Sequence, residues 1–196
     1  MAPEVTAVLL AAGASTRMGT AKQLLAVRGK PAIRLCVEAL QAGGLHHPVV
    51  VLGSRREECE AALAGLSVTF AVNDDPKSEM AESVRIGLRA AAATATGILI
   101  CLCDHPLVAP STYKEVSTAH LHCAEKIIIP VHKGRRGHPT LFPRSLLEGI
   151  YAGLTMRDII QRNDDRVTHV ALDDEGILLD MDTVHDYTRL CALAES

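Results

Sequence analysis

Short, uninterrupted apolar runs alternating with mixed stretches set the pattern of this chain. Val5–Leu10, Val49–Leu52 and Ile98–Cys103 are apolar enough to be buried strands, and Val68–Val72 reads as a further strand. Between them the polar and apolar positions fall at helical spacing. One helix is expected from Lys30-Pro31 to about Ala42, with Pro31 in its first turn and Gly43-Gly44 ending it. Others are expected over Arg55–Ala64, closed by Gly65, and over the alanine-rich Glu82–Ala93, with Gly97 before the next strand. Strands alternating with helices of this length predict an α/β fold around a parallel sheet, its crossovers right-handed.

The second half is less regular. Pro110–Cys123 reads as a helix, and the apolar runs Lys126–Val131 and Thr140–Phe142 flank a hairpin-like excursion at 133–139. Arg144–Ala152 and Met156–Arg162 are expected helices, Val167–Leu172 and Ile177–Met181 the last strands, and Thr183 the start of a final helix. With no internal repeat, low-complexity tract or linker, a single domain over residues 1–196 is expected.

Composition narrows the function. Apolar residues make up 48% of the 196, which suits a packed core, and net charge is −3 with 3% aromatics. A nucleic-acid binder would need a basic face or stacking rings, so none is expected as partner. No apolar run approaches the roughly 20 residues that span a bilayer. Glu4 and the lack of a basic leader argue that Val5–Ala12 is not a signal peptide. The six cysteines form no Cys-x-x-Cys, and Cys101 and Cys103 share a strand face as packing groups. A reduced, cytoplasmic protein is the expectation.

Candidate chemistry concentrates in Leu9–Lys22. After the first strand come Ala11, Ala12, Gly13 and Ala14, small enough for a ligand to approach the backbone closely. Successive N–H groups there, the Ser15 and Thr16 hydroxyls, and the Arg17 and Lys22 cations compose an anion cradle. The stretch is neither a Walker A loop nor Gly-x-Gly-x-x-Gly, and an ordinary turn with two solvated cations fits the spacing equally well. Asp104 follows a strand directly, where open α/β sheets bind ligands and where a carboxylate can hold Mg²⁺. Asp182 has a similar setting, on the face of Asp180 if the strand extends so far; either acid could equally be a turn residue. Thr183 and Asp186 have the spacing of a capping box.

The sequence Leu10-x-Ala12-Gly13-x-Ser15-x-Arg17-Met18-Gly19, followed by Lys22 and Leu24-Leu25, resembles the signature of the MobA-like nucleotidyltransferases. It looks most like the molybdenum cofactor cytidylyltransferase branch, and further matches run along nearly the whole chain. The resemblance implies a three-layer, Rossmann-like nucleotidyltransferase fold of glycosyltransferase-A type. It implies transfer of CMP from CTP to the phosphate of molybdopterin cofactor, with Mg²⁺ and release of pyrophosphate. Asp104 and Asp182 would hold the metal. Leu10, Ala11, Ala12, Gly13, Ser15, Arg17, Lys22, Asn73 and Ser83 would bind the nucleotide. Arg17, Lys22 and Asp104 would be catalytic, the two cations on the departing pyrophosphate. Gly134-x-x-Gly137-His138-Pro139 matches the family's Gly-x-x-Gly-His-Pro element, and with Arg157 it assigns Gly137, His138 and Arg157 to the acceptor. A molybdoenzyme or its maturation chaperone is the implied macromolecular partner.

Relatives using GTP have Gly where this chain has Ala12, and the extra methyl favours a pyrimidine. Departures from the family are Glu79 for a Gly, Cys103 and His105 beside Asp104, Ala152–Arg157 without the usual acid, and Val184-His185 for Pro-Glu. Glu79 could crowd the nucleotide or point to water. Three alternatives stay open: another nucleotide or phosphorylated acceptor such as a sugar phosphate, a non-catalytic cofactor-binding protein, and a nicotinamide oxidoreductase. The absence of Gly-x-Gly-x-x-Gly argues against the last.

Overall fold

The computed structural model describes residues 4–13 and 21–194. The first half runs β1 (Val5–Ala11), a 3-10 turn at Lys22–Leu24, β2 (Ala26–Val27), β3 (Lys30–Pro31), α1 (Ala32–Ala42), β4 (Val49–Leu52), α2 (Arg56–Ala62), β5 (Thr69–Val72) and α3 (Met80–Ala90). The second runs β6 (Gly97–Leu102), α4 (Pro110–His122), β7 (Ile127–His132), β8 (Arg135–Arg136), β9 (Thr140–Pro143), α5 (Arg144–Leu147), α6 (Met156–Arg162), β10 (Val167–Ala171) and α7 (Val184–Ala194). The main sheet has the order β10-β7-β9-β6-β1-β4-β5, with β8 extending β7 as a hairpin. Only β9 on that path runs against its neighbours, so the sheet is mixed but mostly parallel.

Burial on both faces explains the unbroken apolar runs of β1, β4 and β6, whereas β5, at the sheet edge, leaves Thr69 and Phe70 exposed. Along β1, Ala7, Leu9 and Ala11 face a core shared with α1, α2 and α4. Val8 and Leu10 face the opposite core, built with α3, α5 and α6. This is the three-layer arrangement the sequence predicts. Cys101 and Cys103 lie in the first core with Cys36, as packing groups. Burial there pushes the Cys59 thiol up to about 12, so it stays protonated.

The last predicted strand is not one. Ile177–Met181 begins inside a 3-10 turn, Glu175–Leu178, and continues as irregular chain. Its apolar residues serve as plugs, Ile177 and Met181 both fully buried, without joining a ladder. An apolar run alone does not separate these outcomes. The Asp174 carboxylate fixes the turn, accepting from Gly176 N, Ala109 N and the Thr112 hydroxyl. Asp180 and Asp182 therefore share no strand face. The expected helix Arg144–Ala152 divides into α5 and a 3-10 turn at Glu148–Ala152, ended by Gly153 at φ 86°. Lys30-Pro31 belongs to a hairpin, β2–β3, and the helix starts after it.

Register places the site. Leu10 pairs with Leu102, Ala11 with Leu52, and Leu52 with Val72. The residues that follow these, Ala12-Gly13, Gly53, Asn73 and Cys103-Asp104, thus emerge along one edge of the sheet. Antiparallel β9 starts at that same edge, bringing Gly137 and His138 to it. Helix α7 covers the β2–β3 hairpin through a small core of Val27, Ala32, Met181 and Leu190, and Tyr187 O–H donates to Ala26 O at 2.7 Å. Its first turn is a capping box between Thr183 and Asp186, as the spacing predicts. Among the described residues no helix is long and apolar enough to cross a membrane.

Helix α3 lies close on β1 because position 87 has no side chain; a Cβ there would collide with Val8 and press on Val51. Gly87→Ala gains about 1 kcal/mol of helix propensity but overpacks the layer by roughly 1–3 kcal/mol. A lower thermal midpoint is expected in calorimetry, and an unchanged or higher one would show that the valines yield freely.

Candidate active site

The small-residue stretch after β1 forms the floor of a cleft of about 210 Å³. Leu10, Ala11, Ala12, Gly13, Lys22, Asn73, Ser83 and Asp104 all line it, so every described residue of the predicted nucleotide set meets in one place. Ser15 and Arg17 fall within 14–20, outside the described residues. Backbone packing fixes the floor: the chain at Ala12 lies so close to Gly53 that a Cβ on Gly53 would meet the Ala12 carbonyl. Among the described residues nothing lies within 4 Å of where a Gly13 Cβ would sit, and without a side chain its backbone can approach a ligand.

Gln23 was not singled out by its sequence, yet it holds the loop. Buried in the 3-10 turn, it donates through Nε2 to Ala11 O at 2.8 Å and Gly13 O at 2.7 Å. A side chain bonding backwards across a loop leaves no periodic signature. Opposite, Asn73 Nδ2 donates to Ser83 Oγ at 2.9 Å and Ser78 Oγ at 2.8 Å, and Asn73 Oδ1 accepts from Asp75 N. The turn between β5 and α3 is thereby preset around two hydroxyls that line the cleft. Glu79, exposed at the N-cap of α3, lines the outer side of that turn with Asp74 and Glu82. It does not line the cleft.

The two predicted metal acids come together on Lys22. Its Nζ lies 2.7 Å from Asp104 Oδ2 and 2.9 Å from Asp182 Oδ1. Burial alone would lower the Lys22 pKa, but the two carboxylates outweigh it and hold the ammonium above its ordinary range. Asp104 Oδ1 is buried and has no hydrogen-bond partner among the described residues, a cost that a ligand would relieve. The described residues contain no cluster of three or more His, Cys, Asp or Glu arranged to hold a metal. Two acids beside a phosphate-sized cleft suit a hard divalent ion that takes its remaining ligands from water and phosphate.

A second cavity, of about 590 Å³, adjoins the first and shares Leu102 and Met80 with it. Gly137, His138 and Arg157, the predicted acceptor residues, all line it. Ile100, Ile129, Phe142 and Ile160 give it apolar walls, with Arg136 at its rim. Gly137 also has a structural reason to lack a side chain, since a Cβ would strike Ile177. His138 N donates to Ile177 O at 3.0 Å, and its ring packs 5.2 Å from that of His105. His105 in turn lies 3.8 Å from Asp104 Oδ1, linking the two cavities. The departure at position 105 thus puts an imidazole beside the strand-end acid.

A phosphate-sized cleft at the carboxyl edge of a mostly parallel sheet, lined by a strand-end acid and the lysine paired with it, is the arrangement of a nucleotidyltransferase-type α/β protein. The MobA-like NTP transferase domain matches residues 7–167, and the chain belongs to that family. Nicotine blue oxidoreductase of Paenarthrobacter nicotinovorans is 31% identical over 198 residues, spanning 96% of this chain and 97% of that protein. A probable molybdenum cofactor guanylyltransferase of Natronomonas pharaonis is 38% identical over 86 residues, 43% of either chain. Among solved structures, Rv0371c from Mycobacterium tuberculosis H37Rv superposes with a TM-score of 0.82 at 29% identity, over 98% of this chain and 99% of that one. Its complex with manganese superposes at 0.78 and 26% identity, over 98% and 100%.

Two buried imidazoles give the fold a pH dependence. His120, on α4, is fully buried with Nε2 on the Thr96 hydroxyl and Nδ1 unpartnered, and burial lowers its pKa. Burial, then the neighbouring His105, pushes His138 down to about 4 despite the opposing Asp104 carboxylate. Both rings are neutral when folded, whereas the unfolded chain binds protons below about pH 6.5. Stability should therefore be full above that pH and fall as pH drops toward 4. Thermal midpoints measured across this range should decline, less steeply in His120→Gln; a flat profile would contradict the assignment.

Proposed function

We propose that this chain transfers CMP from CTP to the phosphate of molybdopterin cofactor and releases pyrophosphate. The observation that carries the reading is the convergence of the described members of both predicted residue sets on two cavities that share Leu102 and Met80, with Asp104 lining the first. The Gly13 loop and Lys22, with Arg17, bind the triphosphate and stabilise the pyrophosphate as it leaves. Asn73 and Ser83, bonded to each other, present donors and acceptors to the nucleoside. Gly137, His138 and Arg157 orient the acceptor so that its phosphate meets the α-phosphate in line. An acceptor phosphate is already ionised at neutral pH, so no residue need act as base.

Asp104 and Asp182 would hold Mg²⁺, which when bound neutralises charge on the α-phosphate. The buried, unpartnered Asp104 Oδ1 and the manganese complex of the Mycobacterium tuberculosis relative support a divalent ion here. The cytoplasmic setting and a molybdoenzyme or maturation chaperone as partner belong to the same reading. The full-length likeness to nicotine blue oxidoreductase favours one second reading, reduction of a flat heteroaromatic substrate in the apolar cavity.

A nucleotide panel separates the two. With Mg²⁺ and molybdopterin cofactor, CTP should yield pyrophosphate and the larger thermal shift, and GTP and NADPH the smaller ones. Asp104→Ala should abolish turnover while its circular dichroism stays unchanged. NADPH consumption without pyrophosphate would instead favour the reductase.

Ala12 gives a specificity test. Its methyl lies in the cleft wall, with its backbone held against Gly53. One carbon of steric discrimination is worth roughly tenfold. Ala12→Gly should raise kcat/KM for GTP relative to CTP by about that factor. An unchanged ratio would mean that base choice is made elsewhere.

A further inference from the structure

Lys22 stands where a bridging cation belongs. One ammonium takes an oxygen from each acid, at 2.7 Å from Asp104 and 2.9 Å from Asp182, although these acids come from distant parts of the chain. An ammonium and a divalent ion repel each other, so they cannot share that gap. The same lysine lines the small-residue cleft, within reach of a ligand there. Among the described residues one buried oxygen of Asp104 has no hydrogen-bond partner, so Lys22 engages only the other. We propose that Lys22 is a placeholder cation: it holds Asp104 and Asp182 together in the nucleotide-free protein and yields its place to a divalent ion only when triphosphate oxygens become its new partners.

This rests on the nucleotidyltransferase reading and adds an order to it. Metal and nucleoside triphosphate bind as a pair, each strengthening the other by the same factor, because both act on one lysine. Before nucleotide arrives, the acids are already drawn together and half neutralised, so they need not be assembled at the moment of binding. Burial around Lys22 favours the exchange, since an ammonium leaving one anion there must find another.

Mn²⁺ is the probe, its binding followed by electron paramagnetic resonance with and without CTP, and Mn²⁺–CTP in buffer as reference. Wild type should bind Mn²⁺ weakly alone and more tightly with CTP. Lys22→Met should bind Mn²⁺ alone roughly tenfold or more tightly than wild type and gain correspondingly less from CTP. Lys22→Arg, which keeps the cation, should remain weak. Lys22→Gln repeats the comparison should the methionine variant not fold, as judged by circular dichroism. Mn²⁺ binding by the neutral variants no tighter than wild type overturns the proposal, as does a wild type indifferent to CTP while binding both. Failure of CTP to bind at all would sink the cytidylyl reading instead, and the nucleotide-free comparison would still decide the placeholder.

Discussion

Burial of β1 on both faces is the constraint from which the site follows. A strand whose every described side chain beyond Val5 is enclosed cannot slip along its neighbours, because a one-residue shift would exchange the contents of two cores. Its end is therefore fixed against the ends of β4 and β6, and through β4 against β5. Four loops with no sequence relation are thereby delivered to one edge, and the cleft is what lies between them. Small residues at that edge, Ala12 against Gly53 and Gly87 on the helix above, let the layers close until backbone rather than side chains lines the floor.

The chemistry at that edge is a matter of charge held in partial shelter. Lys22 is only about a fifth exposed, as is Asp104, so their attraction is screened less than that of a surface pair. Burial lowers the pKa of His138 to about 4, and the second cavity, which it lines, is walled by isoleucines and Phe142. The more polar cleft and the more apolar second cavity meet at Leu102 and Met80. Exposed Met80, flexible and polarizable, is a suitable partition between ligands of different character.

Much of this was legible in residue order, and the exceptions have physical causes. The buried strands, the helices between them and the strand-end position of Asp104 announce themselves by apolar run length and by glycine and proline. Asn73 and Ser83 were readable through family likeness; that they bond each other was not. Gln23 escaped because its role is a pair of backward bonds to carbonyls. Ile177–Met181 misled because a plug and a strand bury the same residue types. The β2–β3 hairpin was missed although Arg28-Gly29, both at positive φ, form a two-residue turn like Lys133-Gly134 between β7 and β8. The second was visible because longer apolar runs flank it; the first joins strands of two residues each.

The packing of α7 on the β2–β3 hairpin bears on how the site comes into being. Asp182 meets Lys22 across 160 positions of sequence, and it does so at the point where the chain turns into its last described helix. A contact of such separation carries a large loop-closure cost and forms after local structure. During synthesis, the cleft and its lysine would emerge long before the second acid, leaving a compact sheet with half of its charge pattern. The final helix thus works as a clasp, and the two acids meet on one lysine only when the clasp snaps onto the hairpin.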